Sequence, residues 1–450
     1  MRDSVKSIFE LIQATPIPFI AVRDSLAYMN IIDIGDIFDE LNREQTIQVF
    51  RMLPKDIAAN VFAHIVPEKQ QIIVEALTDV EAGTIVNSLF MDDAVDFIEE
   101  MPANVVSKVL SNVTPERRVT INQLLNYPED SIGSIMTTEY MAFGEDLTVM
   151  EAFDRMRKST GHGLHTCYVV RRDKILVGYV SLKSLLLAKQ HERVADLARR
   201  NVISAGTHDD QEKAASLFQK YDLLSLPIVD SENRLVGIIT VDDVVEIVEE
   251  EATEDFEKMA GIMPLDDDVP YLRAGVFRQS LERVGWLLIL TFAAIFAEQI
   301  LTNFEDAMAI LPALIPFIPM LMDTGGNAGV QTSSLIIRSM ALDEVSSKDL
   351  LKAWWLEIRI AVLCGIGLSV ANAIRVMLFG PRNALLTLAV SLTLMLVVLM
   401  AKSLGCLLPM AAKKIKIDPA VMAAPIIKTL LDVVSLFMYF SIARLILPGL

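Results

Sequence analysis

A carboxylate at bilayer depth is costly, and by default it marks a transport path. Asp432 is such a group, set in the apolar run KTLLDVVSLFMYF. Asp418 precedes it by 14 residues, in IKIDPAVMAAPIIKTLLDVVS, with Pro419 placed as for a first helical turn. That interval is about four helical turns, so the two side chains fall on roughly one face. The ion these oxygens suit is hard and well hydrated: Mg2+ prefers oxygen ligands and gives up its waters reluctantly. A ring of Asp432 carboxylates, one per subunit, would hold it through its hydration shell. The competing reading is a local ion pair, because Lys428 lies four residues before Asp432.

A second oxygen-rich stretch, PALIPFIPMLMDTGGNAGVQ, combines Asp323 and Asn327 with Gly325, Gly326, Ala328 and Gly329. Pro312, Pro316 and Pro319 each remove a backbone donor at membrane depth. Irregular backbone survives there only where protein or a wet cavity covers it. The small residues fit either local unwinding beside a pore or close helix packing, and Asp323 with Asn327 favours a pore entrance. Elsewhere carboxylates concentrate twice. One cluster holds Asp92, Asp93, Asp96, Glu99 and Glu100; the other runs through Asp242, Asp243, Glu246, Glu249, Glu250, Glu251, Glu254 and Asp255. Residues 242, 246, 249 and 250 share a helical face. Alone, each cluster is an ordinary solvated face; brought together, they cannot pack closely without counter-ions.

The elements that must carry these residues divide the chain sharply. Its net charge of −18 conceals 12 basic against 10 acidic side chains in residues 284–450, which leaves 28 against 48 in residues 1–283. Such an acidic half repels phosphate backbones and attracts divalent cations, so nucleic acid is not an expected partner. Cys167, Cys364 and Cys406 have no metal-ligand spacing and imply no disulfide framework. MRDSVKSIFELI lacks a cleavable signal pattern, which places the first half in the cytoplasm. About 20 apolar residues span a bilayer, and five runs fit: 284–304, 307–337, 354–379, 384–411 and 420–447. Basic residues precede the first span (Arg273, Arg278, Arg283), separate the second from the third (Arg338, Lys348, Lys352) and separate the fourth from the fifth (Lys413, Lys414, Lys416). The alternate links hold only Arg382. This bias puts the N-terminus inside and the C-terminus outside.

Residues 1–130 read as an acidic α-solenoid whose short helices, among them LNREQTIQVFRMLP and MDDAVDFIEEMP, break at Pro54, Pro67, Pro102 and Pro115. Residues 131–252 hold an internal repeat, 136–190 and 196–252, with the order β-α-β-β-α in each copy. That order resembles the cystathionine-β-synthase (CBS) domain, which occurs in tandem pairs. The resemblance implies a nucleotide site for ATP where a Thr or Ser is followed three residues later by Asp. Thr240 and Asp243 in GIITVDD match, whereas Ser181 is followed by Ser184. The alternative is a structural module in which Asp243 serves a helix N-terminus. Residues 253–283, which include ATEDFEKMAGIMPLDD, read as a connecting helix interrupted at Gly261 and Pro264. The transmembrane domain follows at 284–450.

PFIPMLMDTGGNAGVQ, DPAVMAAP followed by Asp432, YPEDSIGSIMT and EEATED stand in the order solenoid, CBS pair, connecting helix and five spans. Over nearly its whole length the chain thus resembles the bacterial MgtE-type magnesium channels. The fold class expected is a multidomain α plus α/β membrane protein. The resemblance implies a homodimer in the plasma membrane with a pore on its two-fold axis, lined by the second and fifth spans. Mg2+ would be both cargo and regulator. Asp432 would bind the permeating ion, Asp418 would stand at the inner mouth, and Asp323, Gly325, Gly326 and Asn327 would flank the pore. Asp92, Asp93, Asp96, Asp243, Glu246, Glu249, Glu250, Asp255 and Glu257 would form the sensor whose bound Mg2+ holds the channel shut. Two positions depart from the family pattern: Lys428 replaces a small or hydroxyl residue, and Ser435 replaces a Gly. Other readings are a carrier for Co2+, Mn2+ or Zn2+, disfavoured by the lack of intramembrane His or Cys clusters, and a membrane-anchored nucleotide sensor, which needs neither Asp432 nor a broken second span. His162 and His165 lie in a Gly-rich turn with no arranged nucleophile, so no enzyme is expected.

Overall fold

The computed structural model describes residues 8–9, 11–12, 18–55, 57–128, 130–158, 165–263, 271, 275–342, 344–380, 383–422 and 424–447. His162, Pro264, Arg273 and Arg382, named above, lie outside that set. The chain forms two compact units, Met1–Glu249 and Glu250–Leu450.

The first unit opens with short helices: α1 (Phe19–Ala27), α2 (Ile31–Asp39), α3 (Arg43–Met52), α4 (Ala58–Ala63), α5 (Pro67–Ala76), α6 (Asp79–Ser88), α7 (Met91–Glu99), α8 (Ala103–Leu110) and α9 (Pro115–Leu124). Their limits follow from local chemistry. Pro67 and Pro115 occupy first-turn positions, where a missing N–H costs nothing. Asn42 with Gln45, and Thr78 with Glu81, close reciprocal capping boxes at α3 and α6. Helices pack on their second neighbours, α1 on α3, α2 on α4, α3 on α5 and α7 on α9. A series of edge-on rings, Phe38, Phe50, Phe62 and Phe97, runs through them at 6.4, 5.9 and 5.1 Å and ends on α7.

Two three-stranded sheets follow, β1 (Ala142–Gly144), β2 (Thr166–Val170) and β3 (Leu176–Ser181), then β4 (Ala205–Gly206), β5 (Ser225–Val229) and β6 (Leu235–Thr240). In each, the first pair is parallel and the second antiparallel. A parallel pair needs a crossover, supplied by α10 (Val149–Met156) and α13 (Gln211–Tyr221). Both antiparallel pairs shift register at equivalent places, Val169/Val170 and Ile228/Val229, so the internal repeat extends to its irregularities. β3 is followed by α11 (Leu182–Leu187) and α12 (Val194–Leu197), and β6 by α14 (Val241–Ala260). No break separates a connecting helix at residue 253. VDDVVEIVEEEATEDFEKMA contains neither Gly nor Pro, so the last CBS helix runs on to Ala260. It stops at Gly261, whose φ of +73° suits a residue without a Cβ.

The second unit contains α15 (Val276–Ala293), α16 (Ile295–Asn303), α17 (Glu305–Ile310), α18 (Ile318–Ala341), α19 (Leu350–Phe379), α20 (Ala384–Lys414) and α21 (Ala424–Ile446). Among the described residues, four stretches are long and apolar enough to cross a membrane: Val276–Asn303, Ser347–Phe379, Ala384–Lys414 and Pro419–Ile446. The expected span at 307–337 is not one run. It divides into α17, a 3-10 segment at Pro312–Phe317 and the 24-residue α18. Asp323, Asn327, Gln331, Thr332, Ser333 and Ser334 make α18 less apolar than the other four. The glycines do not unwind it, since Gly325 to Gly329 lie inside continuous helix. The irregular backbone comes earlier, where Pro312 and Pro316 deny the i−4 hydrogen bond. Tyr439 satisfies that segment by donating its hydroxyl to the Leu314 carbonyl at 3.0 Å.

Candidate ion-conducting and sensing sites

Close packing of three helices fixes the membrane site. A Cβ on Gly325 would lie 2.7 Å from Val397 Cγ1 and 2.8 Å from Ser435 Oγ, and one on Gly329 would lie 2.8 Å from Ile427 Cγ2. A Cβ on Gly405 would strike the Gly329 carbonyl. The small residues therefore bring α18, α20 and α21 into backbone-level contact, as the packing reading of the sequence expects. Asp323 and Asn327 are exposed on α18, and Asn327 Nδ2 donates to Asp323 Oδ2 at 3.1 Å. Lys428 on α21 places Nζ 4.0 Å from Asp323 Oδ1. The competing reading, a local Lys428–Asp432 pair, thus gives way to an ion pair between helices, with Lys428 still in the field of Asp432. Asp432 is half-buried, and its Oδ1 has no hydrogen-bond partner. The charges that act on it come from Lys428 and Asp323.

Asp418 stands just before the 3-10 turn Pro419–Met422. Its Oδ1 accepts from the Ala420 N–H at 2.8 Å, and its Oδ2 accepts from Lys258 Nζ at 2.7 Å. Lys258 also binds Glu254 Oε1 at 2.6 Å. Burial works against the lysine's charge, but its hydrogen bonds to Asp418 and Glu254 hold it above the usual lysine range. Asp255 is raised by desolvation and then by Asp418. Glu257 is half-buried on the same helix, and Glu249 and Glu250 are exposed.

In the first unit, α7 buries Met91, Ala94, Val95, Phe97 and Ile98, which leaves Asp92, Asp93 and Asp96 off its packed stripe. Arg117 secures the approach to α7 by donating to the Leu89 and Phe90 carbonyls at 2.5 and 3.1 Å and pairing with Glu139 at 3.2 Å. Within the first unit, the first acidic cluster meets Asp243 and Glu246 at the start of the second. Asp92 is pushed up to about 7 by desolvation, then by Asp93 and Asp243, and its Oδ1 is buried without a hydrogen bond. Asp96 rises through desolvation and the charges of Asp92, Asp93, Glu99 and Asp243. Its side chain still meets solvent, so water screens part of that repulsion. Glu246 is raised by desolvation and then Asp243, against a lowering contribution from His64. Among the described residues, no three His, Cys, Asp or Glu side chains converge to hold a metal directly. The cluster is a concentration of charge rather than a finished coordination cage, and it suits an ion that keeps its water.

Comparison with known proteins agrees with this division. The profile described as divalent cation transporter matches residues 318–442, the MgtE intracellular N domain matches 29–130, and CBS domains match 132–191 and 194–250. The magnesium transporter MgtE of Thermus thermophilus is 35% identical over 437 residues, covering 95% of this chain and 96% of that one. This chain belongs to the MgtE family. Its MgtE relative in Bacillus subtilis is 35% identical over 73% of this chain and 72% of its own. A crystal structure of the cytosolic domain of the Mg2+ channel MgtE in complex with ATP superimposes with a TM-score of 0.50 at 33% identity, covering 54% of this chain and 99% of that one. The soluble part of a magnesium transporter gives a TM-score of 0.51 at 26% identity, covering 56% and 98%.

At the Thr-x-x-Asp pattern that closes β6, Thr240 N and Oγ1 donate to Asp243 Oδ2 at 3.1 and 2.7 Å. In the first CBS copy, the Ser181 and Ser184 hydroxyls bond each other at 2.8 Å. Sequence reasoning missed a buried group within the MgtE membrane unit. Thr332 Oγ1 donates to Glu357 Oε2 at 2.9 Å, and Lys402 Nζ lies 3.1 Å from Thr332 Oγ1 and 3.7 Å from Glu357 Oε2. The two charged side chains are only 9% and 10% exposed. Each lone charge in a spanning run is the available signal, but the pairing across α18, α19 and α20 has no sequence spacing to reveal it. His64 was missed too, because a single histidine has no motif.

Proposed function

We propose that this protein is a homodimeric Mg2+ channel of the plasma membrane, importing magnesium and shut by magnesium on its cytosolic side. Asp432 carries the reading: a carboxylate oxygen is buried in a spanning helix with no hydrogen-bond donor, where a ligand explains its cost. A cation that keeps its waters suits such a ring of carboxylates. The magnesium transporters among its relatives support the choice of ion. In this reading α18 is a fifth span, sheltered by α20 and α21 and so free of the need to be apolar all round. Asp323, Gly325, Gly326 and Asn327 lie beside the pore, and Asp418 at its inner mouth. The N-terminal half is cytoplasmic and the C-terminus outside. The helices of residues 1–130 form an α-solenoid, 131–252 the CBS pair, 253–283 the connector and 284–450 the membrane domain. The ATP complex of the related cytosolic domain supports a nucleotide role for Thr240 and Asp243.

Closure follows from electrostatics. Without Mg2+, Asp92, Asp93 and Asp96 repel Asp243 and Glu246, at roughly 1–4 kcal/mol per close pair. Moving a gate from 1:99 to 99:1 takes about 5.5 kcal/mol, so several weakly held ions suffice. Glu249, Glu250, Asp255 and Glu257 extend that acidic face. Flux into proteoliposomes tests the proposal. Asp432→Ala should abolish Mg2+ uptake, and the triple variant Asp92→Ala, Asp93→Ala, Asp96→Ala should keep conducting at high domain-side Mg2+. Undiminished uptake by Asp432→Ala overturns the permeation role; normal closure of the triple variant overturns the sensor. Competition by Co2+ and Mn2+ in the same vesicles decides between Mg2+ and another divalent cargo.

A further inference from the structure

We propose that Lys428 is a tethered counter-charge that keeps the pore's grip on its cation weak, and so sets apparent affinity and ion release. The inference rests on the permeation role of Asp432. Lys428 lies one helical turn before Asp432, yet its ammonium reaches across to Asp323 Oδ1 at 4.0 Å on the neighbouring helix. The same carboxylate accepts from Asn327 Nδ2 at 3.1 Å. The lysine's stem lies over Gly326, where a Cβ would be 3.0 Å from Lys428 Cγ, so the bare glycine gives the chain its route to Asp323. Asp432, in the field of both groups, keeps one oxygen without a partner. Two carboxylates and one ammonium therefore share the site, for a balance of −1 per chain instead of −2. Conduction requires binding strong enough to admit an ion and weak enough to let it leave. A fixed positive charge beside the carboxylates moves that balance toward release.

Mg2+ flux into proteoliposomes of the full-length protein, measured against Mg2+ concentration, tests this. Lys428→Met keeps the stem over Gly326 and deletes the charge. It should lower the half-saturating Mg2+ concentration about tenfold, the scale of one unit charge a few ångströms away in a partly wet site, and lower the maximal rate. Lys428→Arg should keep the wild-type value. Asp323→Asn should shift half-saturation the other way, and the double variant should return toward wild type, which also shows that the fold is intact. If Lys428→Met leaves half-saturation unmoved or raises it, while Asp432→Ala still abolishes flux, the counter-charge idea is wrong and the permeation site stands. If Asp432→Ala transports normally, the underlying reading fails instead.

Discussion

In the proposed sensor, Asp92 would couple the protein to both protons and magnesium. Its folded pKa is raised to about 7, against about 3.9 for an unperturbed aspartate. A raised carboxyl favours the packed arrangement in its protonated form. That stabilisation is fully present below about pH 4 and is lost as pH rises through 7. Mg2+-free proteoliposomes should therefore conduct less with domain-side pH 6 than with pH 8, and saturating Mg2+ should erase the difference. Asp92→Asn should shrink the step, leaving the part that the raised Asp96 contributes. A pH profile identical in the variant would show that another group titrates. Such residues were legible as candidates: Asp432, Asp418 and both acidic clusters stand out by type and depth. Their partners were not. Four residues is one helical turn, so the spacing offered Asp432 as an alternative partner for Lys428, whereas the structure turns the ammonium to Asp323 on another helix.

Helices and strands were legible where the chain punctuates itself. Prolines delimit several of the short helices, and the CBS repeat was visible as a β-α-β-β-α order; in the structure its two copies share even their register shifts. Continuity was harder to see. Nothing between Val241 and Ala260 stops a helix, so the expected boundary at 253 left no structural mark. In α18, glycines that permitted either unwinding or packing are committed to packing by residues of α20 and α21, which no local pattern displays. The same contact gives a stability prediction. Gly405→Ala drives a methyl group into the Gly329 carbonyl and should cost about 1–3 kcal/mol. Gly367→Ala, with nothing within 4 Å of its Cβ, should gain up to about 1 kcal/mol from helix propensity. Thermal melts of the detergent-solubilised protein measure both. Equal melting temperatures would remove the case for a steric seam.

For the molecule as a whole, the charge asymmetry of the sequence corresponds to an acidic body with mixed α and β structure and an apolar helical one. Within the second unit, Lys258 joins the end of α14 to Asp418 at the start of the last span. The lysine side chain is 21% exposed, so solvent tempers the bond, and its removal should cost ~1 kcal/mol of this arrangement's stability; if this arrangement is the one that Mg2+ favours, closure should loosen. Lys258→Gln should therefore raise residual flux at high domain-side Mg2+ severalfold, read in the same vesicle assay. Flux that stays at the wild-type floor would deny the bridge any part in closure.

A seam that leaves no room for a methyl group between Gly329 and Gly405 holds its two helices at backbone distance. If the staves it joins travel together, any widening of a bore would be absorbed where the coil is already loosened, at Pro312–Phe317 and Pro419–Met422. The aperture would then be governed by two short proline-bearing joints, and stiffening either one should freeze its diameter without touching a single ion ligand.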